Sequence, residues 1–301
     1  MGASQQMRIG LVLHPSRDDT AVMETLLSWV GSSGGHVLVR AADAERCPPG
    51  VEAVDDMVFA EQVEALISLG GDGTMLGALR LMAHRPVPVL GVNLGHLGFL
   101  VEIHPDELGT ALERLGTEDF SVEEHSALLV NGAGEELVAF NDVALVRIPG
   151  QGVVQATLSV GGQRMGRFRC DGLVVSTPIG STAYAYAAGG PVVSPNLDAL
   201  IIAPLAPMAG IGRPMVVSAS EPVRLDLLPE SGRLAIEVDG LKVCEIGAGD
   251  ALDVTLSPAA GQVVRLDSDR YQRRNQVKLS LLDLPFLPEE LRELAPGPPA
   301  S

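Results

Sequence analysis

Residues 65–74, ALISLGGDGT, join an apolar run directly to a cluster of glycines. The run 65–69 has the length and composition of a buried β-strand, and residues 75–82 have the spacing of a helix. A strand that passes through glycines into a helix directs backbone N–H groups toward one point, where the helix N-terminus adds partial positive charge. The turn therefore predicts a site for an anionic phosphate, with four candidate contacts: Gly70, Gly71, Gly73 and Thr74.

Asp72 stands inside this predicted anion site. A carboxylate is electrostatically unfavourable there unless it holds a metal or accepts a proton. The alternative is an ordinary tight turn in which the aspartate side chain bonds to its own backbone. The turn fits neither of two common phosphate-binding patterns, GxxxxGK[ST] and GxGxxG.

Strands and helices alternate on both sides of this turn. Apolar runs predict strands at 8–13, 36–39 and 88–92, while Asp18 or Asp19 is expected to cap a first helix and residues 106–115 to form a later one. This alternation favours a parallel sheet with helices packed on it. After residue 124, short runs of Val, Leu and Ile separated by Gly, Asn and Pro are typical of a β-rich domain. We therefore expect an α/β domain at 1–124, joined by the C-terminal segment 270–301, and a β-rich domain at 125–269.

A second unusual block, CDGLVVSTPIGSTAYAYAAGGP, occupies residues 170–191. It predicts a strand, a polar loop and a helix of small residues. The loop hydroxyls of Ser176, Thr177, Ser181 and Thr182 could hold a ribose or a phosphate. A Ser/Thr-rich structural turn is the alternative.

Two resemblances converge on one family. The GGDGT turn resembles that of a kinase superfamily that includes NAD kinases, diacylglycerol and sphingosine kinases and 6-phosphofructokinases. The second block closely resembles the NAD kinase pattern DGxxVSTPTGSTAYxxSAGGPxxxP. Shorter matches are Asn141-Asp142, Arg213-Pro214, Val238-Asp239-Gly240 and the basic segment 270–279, so that the resemblance covers residues 9–282.

The resemblance implies a fold, a reaction and an assembly. The fold would be an N-terminal Rossmann-like α/β domain plus a C-terminal β-rich domain. The reaction would transfer the γ-phosphoryl group of ATP to the 2′-hydroxyl of the adenosine ribose of NAD, with Mg²⁺ or another divalent cation. The family also implies a homodimer or a homotetramer.

The resemblance also implies a role for individual residues. Asp72 would be the general base and, with Gly73, would contact NAD. Asn141 and Asp142 would recognise the nucleosides of NAD. Arg169 and Asp171 would lie in the dinucleotide site, Arg169 toward the nicotinamide and Asp171 across a subunit contact. The adenosine would be surrounded by Thr182, Ala183, Tyr184 and Ala187. ATP would be contacted by Gly70, Gly71, Gly73 and Thr74.

Several positions depart from the family pattern. This chain has Gly77 where the family has a basic residue, Ile179 where it has Thr, Ala187 where it has Ser, Ser194 where it has His, and Leu241 where it has Gln. Residues 206–210 replace an Ala-Pro-His loop of the family. Each lost polar group would weaken binding by ~1 kcal/mol. Two alternatives therefore stay open, a lipid kinase that shares the GGDGT turn and a non-catalytic NAD(P)-binding paralogue.

Composition limits the partners of the chain. Its 21 Lys and Arg against 38 Asp and Glu give a net charge of −17, which argues against nucleic acid and anionic membrane surfaces as partners. Its 3 cysteines lack CxxC spacing, and the sequence has neither an apolar leader nor an apolar run of ~18 residues. We expect a cytoplasmic enzyme in which Asp55-Asp56 and Glu123-Glu124 are solvated acidic faces.

Overall fold

The computed structural model describes residues 7–17, 20–95 and 100–267. Within these ranges the chain forms two compact units, unit 1 with residues 7–123 and 262–267 and unit 2 with Glu124–Gly261. The predicted helix caps Asp18 and Asp19 lie outside the described residues. The same holds for the segment 270–301, which we expected to join the first domain.

Unit 1 is built on a parallel sheet with helices between its strands. The strands are β1 (Arg8–Leu13), β2 (His36–Arg40), β3 (Glu52–Val54), β4 (Ala65–Gly70) and β5 (Pro88–Asn93). The helices are α1 (Thr20–Ser33), α2 (Asp56–Gln62), α3 (Asp72–Leu81) and α4 (Leu108–Gly116), with 3-10 turns at Ala41–Arg46 and Pro105–Glu107. The strand order is β3-β2-β1-β4-β5, and the pairing is parallel throughout. The predicted α/β architecture is confirmed.

Both faces of this sheet are covered, as continuous apolar strands require. Ile9, Leu11 and Leu13 of β1 belong to a core that includes residues of α1 and α4. Gly10 faces the other side, where a Cβ atom would lie 2.7 Å from Phe59 Cζ of α2. Glycine at this position therefore lets α2 approach the sheet closely.

Three local expectations need correction. Helix α3 begins at Asp72, within the glycine block, rather than at Met75. Asp55 is not merely solvated, because its side chain accepts a hydrogen bond of 2.8 Å from Val58 N–H and caps α2. The helix expected over 106–115 starts with the 3-10 turn Pro105–Glu107 and continues as α4.

Unit 2 consists mainly of antiparallel strands. Along the chain these are β6 (Ser121–Asn131), β7 (Leu137–Ala139), β8 (Asp142–Arg147), β9 (Val154–Val160), β10 (Gln163–Cys170), β11 (Gly172–Ser176), β12 (Ala199–Leu205), β13 (Ala209–Gly210), β14 (Met215–Ser218), β15 (Val223–Leu227), β16 (Leu234–Val238), β17 (Leu241–Ile246) and β18 (Ala251–Arg265). A 3-10 turn, Ile179–Thr182, and the short helix α5 (Tyr184–Ala187) follow β11. The chain passes from unit 1 to unit 2 along β6 and returns along β18, whose Gln262 and Val263 pair in parallel with β5.

Two sheets enclose the core of unit 2. One has the order β14-β12-β11-β8-β16-β17, and the other includes β13-β10-β9-β15-β18. Alternate residues of both sheets, such as Leu173 and Ile202 from one and Leu158 and Leu225 from the other, form a single apolar core. The predicted β-rich second domain is confirmed.

No helix in the described part of the chain has the length and apolar character needed to cross a membrane.

Candidate functional site

The glycine turn lies where β4 meets α3. All residues of β4 are buried, and Gly71 caps the helix in an extended conformation. A Cβ atom at Gly70 would collide with the Thr74 hydroxyl, so only glycine fits there. At Gly71 and Gly73 a Cβ atom would meet open space. A ligand can therefore approach the N-terminal N–H groups of α3 from the side of these two glycines.

Asp72 is the first residue of α3 and is half-buried. Its Oδ1 accepts a hydrogen bond of 2.9 Å from the backbone N–H of Leu100. A carboxylate in the first turn of a helix is also favoured by the helix dipole. The carboxylate is thus held in position from a segment outside the glycine turn, which the sequence pattern did not indicate.

Asn93 ends β5 beside the glycine turn and was not singled out from the sequence. It pairs in register with Gly70, and the following Leu94 N–H donates to Gly70 O at 3.1 Å. The side chain is only 4% exposed, its Oδ1 accepts from Gly95 N–H at 3.0 Å, and its Nδ2 is without a partner among the described residues. A buried amide donor without a partner carries a desolvation cost, which a ligand acceptor would remove. The available sequence signal was a polar residue at the carboxyl end of a buried parallel strand.

A second group of candidate site residues lies in unit 2, around the turn Asn141-Asp142. The carboxylate of Asp239 accepts hydrogen bonds from three successive backbone N–H groups, those of Phe140 at 3.2 Å, Asn141 at 2.7 Å and Asp142 at 3.2 Å. Asp239 has a φ of 47°, a left-handed conformation that aspartate tolerates better than most residues. The Val238-Asp239-Gly240 match therefore supplies an anchor for the Asn141-Asp142 turn.

The loop after β11 holds the same turn from the other side. Thr177 Oγ1 donates to Phe140 O at 2.7 Å and accepts from Gly180 N–H at 3.0 Å, and Ser176 Oγ donates to Asn141 O at 3.0 Å. A Cβ atom at Gly180 would collide with the Asn141 carbonyl, which explains a glycine in this loop.

The hydroxyls of this loop differ in what they contact. Ser176, Thr177 and Ser181 are buried and bond within the chain, Ser181 Oγ accepting from Val193 N–H at 3.1 Å. The expectation that these three hydroxyls hold a ribose or phosphate is wrong, because backbone groups already occupy them. Thr182 is half-buried, at the end of the 3-10 turn.

Asp142 carries an unusual charge state for a carboxyl group. It is 3% exposed, and burial raises its pKa from 3.8 to about 7, with smaller raising contributions from the charges of Asp239 and Glu237. A hydrogen bond from the Tyr184 backbone N–H acts in the opposite direction. The group can therefore exchange a proton near neutrality, and it can donate a hydrogen bond when protonated.

The adenosine-site candidates surround helix α5. Ala183 and Tyr184 are half-buried and Ala187 is exposed. Ala187 lines a cavity of about 220 Å³ together with Gly189, Leu205 and Arg213. The structure thus brings the Arg213-Pro214 match close to the end of the second block.

Asp171 lies apart from the Asn141-Asp142 turn within this chain. Strands β8 and β11 pair so that Asp142 is opposite Ser176 and Val146 is opposite Gly172. Asp171 precedes Gly172 and is therefore about five residues, or ~17 Å, along the strand from the turn. Its Oδ1 pairs with Arg147 Nε at 2.8 Å, while Arg169 is exposed on β10.

In the described ranges no group of three or more His, Cys, Asp or Glu side chains is arranged to hold a metal ion.

Two family models match most of the chain. The ATP-NAD kinase N-terminal domain matches residues 9–120, and the ATP-NAD kinase C-terminal domain matches residues 140–266. The chain belongs to the NAD kinase family. The resemblance found in its motifs is therefore confirmed.

Related NAD kinases are similar over most of their length. The NAD kinase of Corynebacterium glutamicum is 38% identical over 228 residues, which cover 74% of this chain and 78% of that protein. The NAD kinase of Mycobacterium leprae is 35% identical over 298 residues, covering 92% of this chain and 95% of that protein. The similarity includes both units.

Solved structures share the fold. A crystal structure of yeast NADH kinase complexed with NADH has a TM-score of 0.78 at 21% identity, covering 94% of this chain and 89% of that one. An NAD kinase from Archaeoglobus fulgidus in complex with ATP has a TM-score of 0.68 at 25% identity, covering 91% and 99%. These likenesses agree with an NAD kinase fold of an α/β unit and an antiparallel β-rich unit.

Single-residue departures from the NAD kinase pattern lie outside the buried core. Gly77 and Ile179 are half-buried, and Ala187, Ser194 and Leu241 are exposed. None of these substitutions removes a buried side chain, so the departures leave the packing of both units intact.

Proposed function

We propose that this chain catalyses the transfer of the γ-phosphoryl group of ATP to the 2′-hydroxyl of the adenosine ribose of NAD, giving NADP and ADP. The observation that carries the proposal is that each unit contains residues that match the NAD kinase pattern. Unit 1 contributes the turn 70–74 with Asp72 fixed by a backbone hydrogen bond, and unit 2 contributes Asn141-Asp142 anchored by Asp239. Membership of the NAD kinase family over both units supports the same reaction.

ATP would bind at the glycine turn. The open space beside Gly71 and Gly73 leaves the first N–H groups of α3 accessible to phosphate oxygens. Gly70 and Thr74 pack against each other and shape the turn. The unpartnered Asn93 amide would supply a further donor at the same edge of the sheet.

Asp72 would accept the proton of the ribose hydroxyl. That hydroxyl is a poor nucleophile with a pKa far above neutrality, so a nearby carboxylate that takes its proton lowers the barrier. The hydrogen bond from Leu100 N–H holds one carboxylate oxygen of Asp72 in position. Once bound, a divalent cation would neutralise charge that develops on the transferred phosphoryl group.

Mg²⁺ fits the donor set of the described residues. This cation usually keeps several waters and is held by nucleotide phosphates with one or two carboxylates, rather than by a dedicated protein cage. Asp72, at the glycine turn, is a carboxylate that could serve in this way. The absence of a larger carboxylate cluster in the described ranges is compatible with such a site.

NAD would be recognised by unit 2. The Asn141 amide and the Asp142 carboxyl would bind its nucleosides, and residues 182–187 would surround the adenosine. Since the pKa of Asp142 is raised to about 7, its carboxyl can act as donor or acceptor toward a nucleoside hydroxyl near neutral pH.

Asp171 would act on the dinucleotide of a second subunit, and Arg169 would lie toward the nicotinamide. Asp171 precedes the end of the β8–β11 pair that is far from Asn141-Asp142, which favours a contribution of Asp171 to another copy's site. We therefore propose a homodimer or a homotetramer. The expectation of a cytoplasmic enzyme stays a prediction.

A direct assay tests the proposed function. The purified chain is incubated with Mg²⁺, ATP and NAD, and NADP is measured, with Asp72→Asn as the matched control. Diacylglycerol, sphingosine and fructose 6-phosphate are offered in parallel. NADP formation that depends on Asp72 supports the proposal. Lipid phosphorylation without NADP would replace it with a lipid kinase, and NAD binding without turnover by the wild type would indicate the non-catalytic paralogue.

A further inference from the structure

Arg265, the last residue of β18, forms a buried ion cluster in unit 1. Its side chain is 4% exposed and lies between two carboxylates, that of Glu102 with 1% exposure and that of Glu123 with 20%. Arg265 Nη1 is 3.1 Å from Glu102 Oε2, and Nη2 is 2.6 Å from Glu123 Oε2. Glu123 is therefore an ion-pair partner and not the solvated residue expected from the sequence.

The cluster fixes the segment 100–102 to the end of β18. Arg265 Nη1 donates to the backbone carbonyl of Leu100 at 3.2 Å. In return, Glu102 Oε1 accepts from Leu266 N–H at 3.0 Å. Each of the two chain segments thus contributes a charged side chain that binds the backbone of the other.

The same segment reaches the candidate catalytic residue. Leu100 N–H is the donor that holds Asp72 Oδ1 at 2.9 Å, while the carbonyl of Leu100 is held by Arg265. The next anchor is Glu102 N–H, which donates to Gly91 O at 2.8 Å. A displacement of Leu100 would therefore move the hydrogen bond that orients Asp72.

We infer that Arg265 is a positioning residue, which orients Asp72 through the backbone of Leu100. This inference rests on the proposed function, in which Asp72 is the proton acceptor. A guanidinium is suited to this task because its planar set of donors contacts two carboxylates and a carbonyl at once, whereas a lysine ammonium cannot hold all three in the same geometry. Buried ion pairs often stabilise no more than apolar residues of the same size, so the cluster is explained better by geometry than by stability.

The test compares two Arg→Lys substitutions in the same unit. Arg265→Lys keeps the charge and removes the fork that reaches Leu100. Arg114→Lys is the matched control, because Arg114 Nη1 donates at 3.0 Å to the carbonyl of Leu266, the residue after Arg265, and not to the segment 100–102. At a temperature where both variants are folded, we expect Arg265→Lys to lower kcat about 10- to 100-fold, as a small misplacement of a catalytic group does, with KM for ATP within about threefold of wild type. Arg114→Lys should keep kcat within about twofold.

A double-substitution cycle separates positioning from general damage. If Arg265 acts through Asp72, Arg265→Lys should cost less than about twofold in kcat once Asp72→Asn is already present, because the two effects are then not additive. The same fold loss in both backgrounds, or an unchanged kcat of Arg265→Lys, would overturn the inference. Wild type that makes no NADP would instead overturn the proposed function itself. If Arg265→Lys fails to fold, Glu102→Gln takes its place in the cycle, because this substitution removes the charge that faces Arg265 Nη1. A loss in kcat that shrinks in the Asp72→Asn background supports the inference, and an equal loss in both backgrounds or an unchanged kcat overturns it.

Discussion

Replacing Asp142 with asparagine should stabilise the protein and impair its reaction. The Asp142 carboxyl is 3% exposed and lies near the charges of Asp239 and Glu237, so its ionised form is disfavoured in the folded chain. Asparagine has nearly the same shape, and its carbonyl oxygen can still accept the hydrogen bond from Tyr184 N–H. The substitution therefore removes the charge and keeps the packing.

The pKa of Asp142 sets the size and the sign of the effect. A rise from 3.8 to about 7 means that the folded chain holds a proton that the unfolded chain has released between these values. The stability contribution of this group is complete below the unfolded pKa and is lost as the pH rises through the folded pKa. Since each pKa unit corresponds to ~1.4 kcal/mol, the full loss of unfolding free energy is ~4 kcal/mol, with about 2–3 kcal/mol of it falling between about pH 5 and about pH 8.5.

Denaturant unfolding of wild type and Asp142→Asn at about pH 5 and about pH 8.5 measures this pH-dependent loss of unfolding free energy. We expect the unfolding free energy of the variant to exceed that of the wild type, by a margin that grows by about 2–3 kcal/mol toward the higher pH. Ala187→Ser, an uncharged change on the same block, supplies the pH baseline. A margin that is independent of pH would refute the assignment of a near-neutral pKa to Asp142. The variant should also show a higher KM for NAD, since it loses a nucleoside contact.

Three further predictions concern the site. Asp72→Asn should lower kcat by ~10²–10⁴-fold, the usual worth of a general base, with little change in thermal midpoint; a folded variant of near-normal kcat would remove Asp72 from the mechanism. Arg169→Gly should change the ratio of kcat/KM for NAD and NADH, measured with saturating ATP, and an unchanged ratio would contradict a role near the nicotinamide. Asp239→Ala should lower the unfolding free energy by roughly 2–4 kcal/mol, because the backbone N–H groups of Phe140, Asn141 and Asp142 lose their acceptor; a loss below about 0.5 kcal/mol in denaturant unfolding would argue against the anchor.

The sequence determined the two motifs and the class of each unit. A buried apolar strand, a glycine turn and a helix are local features, and each is encoded by residues close together in the chain. The short apolar runs after residue 124, which predicted β-strands, are local features as well. The long match of the second block identified the family, and the family models confirmed it.

Tertiary structure decided what holds the site residues in place. Asp239 anchors Asn141 from 98 positions away, and Leu100 orients Asp72 from 28 positions away. Such contacts depend on which strands and loops meet, and no local pattern records that. The structure also assigned Ser176 and Thr177 to the protein interior, although their composition suggested ligand contacts.

The charge states of the acidic residues likewise depended on the fold. Glu123 belongs to an acidic pair and Asp142 follows Asn141, and neither position differs in the sequence from that of an exposed acid. Burial beside Asp239 raises the pKa of Asp142, whereas burial beside Arg265 gives Glu123 an ion-pair partner. The sequence specifies that these carboxylates exist, but only the packing around them sets the desolvation and the neighbouring charge that decide their chemistry.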